Sequence, residues 1–255
     1  MPDSRVSILI LAKNEARNLP DCLASVRWAD EVVVVVDQES RDETEAVARR
    51  GATVVAVRAF EDFASQRNAA LALATGDWVF ALDADERVTP ELASEIRRMT
   101  AVPGHGHDGY RVPIRSVILG RPFSFSGTQH DRPLRLFRRG NGHWVGTVHE
   151  TVDLRGSVGV LRHELTHKTL DDMKTFLRKI DEYTTLEAEA FERQGRRLRC
   201  TDLSVRPAWT FLKLYLGKAG FRDGMEGFVF CALSGVSVAI RNWKYRELVR
   251  ARGSP

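Results

Sequence analysis

Asp77-Trp78-Val79-Phe80-Ala81-Leu82-Asp83-Ala84-Asp85-Glu86 is the stretch whose reading decides the fold. Five consecutive apolar residues, Trp78 to Leu82, follow the turn signal Thr75-Gly76 and run straight into alternating acids. A short apolar run of this kind, with Trp, Val and Phe, predicts a strand buried on both faces, as in parallel sheets. Open α/β sheets place ligands at the carboxyl ends of their strands, which is where these carboxylates fall. On an extended chain Asp83 and Asp85, two apart, project the same way. Two hard oxygen ligands can hold Mg²⁺ or Mn²⁺ while phosphate oxygens fill the remaining positions. The plain alternative is a solvated acidic turn.

The residues before this stretch support the sheet. Val6 to Ala12 predicts a first strand with the loop Lys13-Asn14-Glu15 at its carboxyl end. A helix follows, with Leu19, Cys22, Leu23 and Val26 at helical spacing. Glu31 to Asp37 contains five valines in a row. Such a strand has no polar face to give to water, so both faces must be covered. Ser40 to Asp42 is expected to cap a helix ending at Gly51 in a left-handed cap. Thr53 to Val57 predicts a third strand and Phe63 to Ala74 a third helix. The order β-α-β-α-β-α-β with short connections implies a parallel sheet with right-handed crossovers. It brings Lys13-Asn14-Glu15, Asp37 and Asp83-Ala84-Asp85 to one edge. There is no Gly-x-Gly-x-x-Gly after the first strand and no Gly-Lys-Ser/Thr, so dinucleotide and P-loop readings lose their main support.

Residues 5–95 resemble the nucleotide-binding half of family 2 glycosyltransferases, inverting enzymes of the GT-A fold. The matching residues are Ala12-Lys13-Asn14-Glu15, Asp37 with Ser40 and Asp42, Gln66-Arg67-Asn68, Ala74-Thr75-Gly76-Asp77 and Leu82-Asp83-Ala84-Asp85. Gln38-Glu39 departs from the Asp-Gly or Ser-Gly of many members. The resemblance implies an α/β chain of GT-A type: a mainly parallel nucleotide-binding sheet flanked by helices, with a helical C-terminal section. It implies a donor site of Ala12, Asn14, Glu15, Asp37, Arg67, Asn68 and Asp83, with Glu15 and Asp37 on ribose and base and Arg67 and Asn68 near base or diphosphate. It implies a Mg or Mn cation on Asp85, assisted by Asp83.

Beyond a helix start at Pro90, regularity drops. Tyr110 to Leu119 and Leu134 to Arg139 predict strands, and Trp144 to Val148 runs into His149-Glu150. The sequence Leu134-Arg135-Leu136-Phe137-Arg138-Arg139, a turn, then Val148-His149-Glu150 resembles the lipopolysaccharide-core β-glucosyltransferase subfamily. That resemblance implies Glu150 as general base. A partly buried carboxylate can be raised towards neutrality for that task. Arg135, Arg138, Arg139 and His149 are expected to bind an anionic acceptor or the diphosphate. His163-Glu164-Leu165-Thr166-His167 matches H-E-x-x-H, which on a helix would hold zinc. The segment shows no helical stripe, so a zinc metallopeptidase through His163 and His167 stays an alternative; His167 is also a candidate extra metal ligand in the transferase reading. A third reading is a non-catalytic nucleotide-sugar-binding protein.

From Asp171 the pattern turns helical. Domain limits are expected at 1–170 for a catalytic domain, with a nucleotide-sugar half at 1–100 and an acceptor half at 101–170, then 171–255 as a helical extension. Pro207 to Leu216 and Gly227 to Ile240 are apolar, yet neither reaches the roughly 18–20 uninterrupted apolar residues of a membrane span. Trp209, Tyr215, Trp243 and Tyr245 among basic residues suit peripheral contact with a membrane interface, against a helical lid or subunit contact as the alternative.

Composition agrees with a soluble globular chain: 43% hydrophobic and 28% charged over 255 residues. Residues 1–131 carry 15 Lys+Arg against 20 Asp+Glu, and residues 132–255 carry 23 against 14. An acidic front half suits a metal site and a basic back half an anionic partner. Cys22, Cys200 and Cys231 form no disulfide framework, and the N-terminus has no signal-peptide pattern, so the expected place is the cytoplasm, peripheral at the inner face of the membrane. The expected partners are a nucleoside diphosphate sugar, a UDP-sugar above all, and an anionic glycan or glycolipid; nucleic acid is not expected.

Overall fold

The computed structural model describes residues 4–101, 106–128, 132–146, 150–170, 172–196 and 199–252. In chain order the elements are β1 (Val6–Ala12), α1 (Leu19–Ser25), β2 (Glu31–Asp37), α2 (Thr44–Gly51), β3 (Val54–Arg58), α3 (Phe63–Leu73) and β4 (Trp78–Asp83). Then come β5 (Glu86–Val88), α4 (Pro90–Thr100), β6 (Gly109–Arg111), β7 (Ile114–Ile118), β8 (Arg121–Pro122), β9 (Leu134–Arg138) and β10 (Gly142–Val145). The last are β11 (Thr151–Leu154), β12 (Val158–Val160), β13 (Leu165–Leu170), α5 (Met173–Arg193), α6 (Val205–Leu212) and α7 (Gly224–Arg252).

The chain divides into two compact units, residues 1–114 with 131–167, and residues 115–130 with 168–255. Residues 115–130, expected in the acceptor half, fall in the second unit with 168–255. The expected strand from Tyr110 to Leu119 breaks into β6 and β7 around Val112-Pro113, since Pro cannot donate to a ladder.

The first unit is built on a seven-stranded sheet in the order β12-β6-β9-β4-β1-β2-β3. β4, β1, β2 and β3 are parallel, as the βα repeat demands. β9 runs antiparallel between β4 and β6, so the sheet is mixed and mainly parallel. Alternation sorts side chains by face. Ile8, Ile10, Val34, Val36, Phe80 and Leu82 meet α1, α2 and α4 through Leu19, Val47 and Leu92. Leu9, Val33, Val35, Val79 and Ala81 face the other layer, with Ala64 and Ala70 of α3 and Trp144 of β10. All seven residues of β2 are buried, as the valine run requires. Each fully buried large apolar side chain contributes about 1.5–3 kcal/mol.

The amino ends of the strands are locked by polar groups. Glu31, 4% exposed, accepts from Ser7 Oγ at 2.5 Å, Thr75 N at 2.8 Å and Thr75 Oγ1 at 2.9 Å. Gly76 N donates to the same Ser7 Oγ at 2.9 Å, and Asp77 accepts from Arg5 N at 2.9 Å. A Cβ on Gly76 would lie 2.6 Å from Ser7 Oγ and 2.9 Å from the Arg5 carbonyl oxygen, so this backbone approach demands glycine. The Ala74-Thr75-Gly76-Asp77 match is thus a structural lock, remote from the carboxyl edge.

In the second unit, Ile118, Phe123, Leu170, Phe176 and Ile180 form a core with Phe230, Leu233 and Ile240 of α7. Buried Asp223 anchors Ser124 and Ser126, accepting from Ser124 N at 3.0 Å and Ser126 Oγ at 2.6 Å. The stretch Gly220–Ala251 corrects one expectation. As a continuous helical stretch it is long and apolar enough, by length and composition, to cross a membrane.

Candidate active site

The carboxyl edge of β1, β2 and β4 opens onto a cavity of about 340 Å³ lined by Ala12, Lys13, Glu15, Asp37, Gln66 and Asp85 among others. Asn14 takes a left-handed conformation (φ 54°), which Asn tolerates better than most residues. Its Oδ1 accepts from Arg41 N at 2.8 Å, while Glu15 N donates to Thr44 Oγ1 at 2.7 Å and Ala16 N to Asp42 Oδ2 at 3.1 Å. Ser40 Oγ lies 3.4 Å from Asn14 N. Ser40, Asp42 and Asn14 therefore stitch the two strand-end loops together. Asp37 is 4% exposed; its Oδ1 accepts from Glu39 N at 2.8 Å and its Oδ2 lies 2.9 Å from Lys13 Nζ. Bonds to Glu39 and then Asp37 raise the Lys13 ammonium above its ordinary pKa. The rings of Phe60 and Phe63, edge to face at 5.1 Å, complete a wall on which an aromatic base can lie.

Residue parity decides the partners of Asp83. Counting from Val79 and Ala81, Asp83 falls on the α3 face, and so does Arg135, counted back from Phe137. Asp83 Oδ1 accepts from Arg67 Nη2 at 2.7 Å and Oδ2 from Arg135 Nη2 at 3.0 Å. Arg135 Nη2 also reaches Glu86 Oε1 at 2.8 Å, and Glu86 Oε2 accepts from Asp83 N at 2.8 Å. Burial disfavours the Asp83 carboxylate, but the two guanidiniums outweigh it and hold the carboxyl below its usual range. Glu86 is fully buried, and that burial pushes it up to about 7 despite Arg135.

The chain turns after Asp83, and among the described residues the two aspartates bond different side chains. Asp85 Oδ2 instead lies 3.2 Å from His167 Nε2, on β13 opposite Glu86 of β5. Burial lowers the His167 pKa, but the Asp85 hydrogen bond, with Asp85, Glu86 and Asp83 charges behind it, raises it overall. One carboxylate oxygen and one imidazole nitrogen suit Mn²⁺ or Mg²⁺ when substrate phosphates supply the other positions. Among the described residues no group of three His, Cys, Asp or Glu side chains is disposed to hold a metal by itself. His163 points elsewhere, its Nδ1 2.8 Å from Glu95 Oε2, and His167 lies on a strand. The zincin alternative needs a helix and loses its basis.

A second cavity, about 260 Å³, is lined by Arg67, Asp83, Arg111, Arg135, Trp144 and Glu150 among others. Asp83 lines both cavities. Arg67, 6% exposed on α3, bridges Asp83 to Glu150, whose Oε1 lies 3.2 Å from Arg67 Nε. Arg67 Nη1 is buried with no hydrogen-bond partner among the described residues.

Three expectations need correction. Asn68 spends both ends of its amide on the Trp144 backbone, at 2.9 Å each, and so positions β10. Arg138 lies over the Trp78 ring at 4.6 Å, and Arg139 Nε donates to the Gly76 carbonyl at 2.7 Å. Both sit at the start of β4, roughly 16 Å of strand from Asp83. His149 lies outside the described residues. Glu86, Phe60, Phe63 and Arg111 were not anticipated; the only signal was three acids in the four residues Asp83 to Glu86.

The family model for glycosyl transferase family 2 matches residues 7–144, more than half the chain. The chain belongs to this family. It is 30% identical over 90% of its length to LpsC, a lipopolysaccharide core biosynthesis glycosyltransferase of Rhizobium meliloti, covering 87% of that protein. An uncharacterized glycosyltransferase of Rickettsia conorii is 27% identical, with 95% of this chain and 90% of that one aligned. The mannosyltransferase PcManGT of Pyrobaculum calidifontis, solved with GDP-Man and Mn²⁺, superposes over 95% of this chain and 87% of its own with a TM-score of 0.50 at 15% identity. That likeness is one of fold, and the fold of this family 2 glycosyltransferase is GT-A.

Proposed function

We propose that this glycosyltransferase moves a sugar, with inversion, from a nucleoside diphosphate sugar to a hydroxyl of an anionic cell-envelope glycan of the lipopolysaccharide-core type, with a UDP-sugar as first candidate donor. The observation that carries the reading is the junction at Asp83. It is shared by two cavities, and Arg67 ties it to Glu150, the other carboxylate among the described residues lining the second. LpsC, whose name places it in lipopolysaccharide core biosynthesis, supports the acceptor class.

In this reading the base lies against Phe60 and Phe63, and Glu15 and Asp37 take the base and ribose. Asp83 orients the donor sugar while Arg67 and Arg135 fix its carboxylate in place. Asp85 and His167 would hold the divalent cation, Mg or Mn, which supplies charge neutralisation for the departing diphosphate. Arg67 Nε holds Glu150 by Oε1, and no partner is found for Oε2 among the described residues. That oxygen takes the proton from the acceptor hydroxyl as its oxygen attacks the anomeric carbon opposite the diphosphate. The proton ends on Glu150 and the bond to the diphosphate breaks through an oxocarbenium-like transition state. Arg111 and Arg135 line the acceptor cavity and suit an anionic group on the acceptor.

The test is a screen of UDP-, GDP- and TDP-sugars with Mg²⁺ or Mn²⁺, reading released nucleoside diphosphate with and without deacylated lipopolysaccharide core. Release of UDP, stimulated by the core glycan and stopped by EDTA, is expected. No release from any donor under any condition overturns the reading.

A further inference from the structure

The second unit leaves uncovered an apolar face that its own core does not use. Val205, Trp209, Leu212 and Leu216 follow one another at spacings of four, three and four. At about 100° per residue they fall within roughly 60° of each other on one side of α6 and the single π turn that prolongs it. All four are exposed, Trp209 at 64% and Leu216 at 60%. The opposite side of α6 is spent on α7. A Cβ on Gly235 would lie 2.8 Å from the Pro207 carbonyl oxygen and 3.4 Å from Phe211 Cβ, so the two helices touch there backbone to backbone. Phe211, Tyr215 and Phe228 close that contact with ring centroids 5.2–5.8 Å apart. α6 is thus held with its apolar stripe outward. Phe221, 6.2 Å from the Tyr215 ring, and Met225, 72% exposed, are further exposed apolar side chains of the same unit.

Charge singles out what covers this face. Residues 203–222 contain Arg206, Lys213, Lys218 and Arg222 and no acid. Arg206 is paired with Asp202 at 2.8 Å and Arg222 lies 4.3 Å over the Phe125 ring, while Lys213 is exposed beside the stripe. A second copy related by two-fold symmetry would set this basic patch against itself. A bilayer with anionic headgroups satisfies both features: aromatic and aliphatic side chains enter the interface and the cations meet phosphate. Spanning by α7 is disfavoured, because α7 is held to α5 by Lys244–Asp181 at 2.7 Å and Arg241–Glu187 at 3.0 Å and packs half-buried Phe230, Leu233 and Ile240 against the unit core.

We propose that Val205, Trp209, Leu212, Leu216, Phe221 and Met225 form a docking face that holds the protein peripherally on an anionic phospholipid surface. This relocates the contact expected from the aromatic residues. Tyr245 is 3% exposed with its hydroxyl on the Arg196 carbonyl, and Tyr215 is half-buried in the ring cluster.

The experiment is flotation of the full chain with phosphatidylcholine vesicles, with and without phosphatidylglycerol, at low and high salt. The wild type floats with the anionic vesicles and less so as salt rises. Trp209→Glu with Leu216→Glu lowers the floated fraction about tenfold or more, whereas Leu186→Glu, at an exposed apolar position of α5, leaves it unchanged. Should the double variant misfold, Lys213→Glu with Lys218→Glu, which touches no core, gives a second reading: several-fold less flotation supports the face and none overturns it. Equal flotation on neutral and anionic vesicles, no flotation at low salt, or full flotation of a folded double variant also overturns it. So does a dimer dissolved by the double variant without any vesicle effect, which assigns the face to a second copy. Release of UDP from a UDP-sugar in free solution stays at the wild-type rate in these variants, so the catalytic reading stands or falls separately.

Discussion

Replacing Glu31 by Gln tests the polar lock beneath the sheet. The carboxylate accepts three hydrogen bonds, from Ser7 Oγ, Thr75 N and Thr75 Oγ1. An amide keeps all three contacts: its oxygen takes the first two and its nitrogen donates to Thr75 Oγ1. What it loses is charge. A hydrogen bond to a charged group contributes about 1.5–3 kcal/mol and a neutral one about 0.5–1.5. Three such exchanges remove about 3 kcal/mol, and the easier burial of a neutral amide returns part, leaving about 2 kcal/mol. For a chain of this size that lowers Tm by roughly 4–8 °C. The pH dependence follows from the direction of the shift. Burial raises the Glu31 pKa, but the bonds from Ser7 and Thr75 bring it below its ordinary value. Its stabilisation is therefore complete above the unfolded pKa, about 4.3, and is lost as pH falls through the folded one. Denaturant unfolding of wild type and Glu31→Gln between neutral pH and about pH 3 should show a gap that narrows on acidification. Nucleotide binding should not change, since Glu31 begins the strand that Asp37 ends. A variant within about 0.5 kcal/mol of wild type at neutral pH, or a gap independent of pH, refutes the reasoning.

Asp85→Ala should cut transfer at least about 10²-fold and remove the effect of added Mn²⁺ on nucleotide affinity; titration calorimetry with and without EDTA checks this, and wild-type turnover would exclude Asp85. Glu150→Gln should cut turnover about 10²–10⁴-fold with donor Kd unchanged, while normal turnover would take Glu150 out of the mechanism. Arg135→Met leaves Asp83 and fully buried Glu86 short of a cation and should cost about 3–5 kcal/mol. Because the folded Glu86 pKa stands at about 7, above its unfolded value, charging Glu86 costs stability as pH rises through that window, and the variant's deficit should widen with pH; a deficit independent of pH would count against the coupling. Gly76→Ala should destabilise by about 1–3 kcal/mol, and Ser7→Ala should fail to rescue it, since backbone atoms at 2.9 Å remain in the way.

Much of the first unit is legible in the sequence because its signals are local. Five valines leave β2 no exposed face, and an apolar run ending in acids marks β4 and its carboxyl edge. The left-handed cap expected at Gly51 is absent: the helix runs through Gly51 and ends at extended Ala52. Gly51 serves packing instead, since a Cβ there would lie 2.9 Å from Leu23 Cδ1. Which arginine reaches the site depends on the direction of β9. Antiparallel to β4, β9 brings Arg135 towards Asp83 and carries Arg138 to Trp78. The alternation of Leu134 and Leu136 marks a strand but holds no information about its neighbour or its direction. Glu86 hid for a similar reason, because its partner Arg135 is 49 residues away.

The seven-stranded sheet has two margins, and each invites strand addition from another chain. β3 closes one margin and ends in Arg58, whose guanidinium is occupied by Ser65 and Glu61. β12 closes the other with only three residues, of which Val158 and Val160 are exposed. Its brevity limits the hydrogen bonds a foreign strand can make. A chain cut before Val158 would uncover β6, with fully buried Tyr110 behind it. Such a fragment should self-associate at concentrations where the whole chain stays dispersed, so β12 guards the solubility of the sheet as β13, through His167, serves its site.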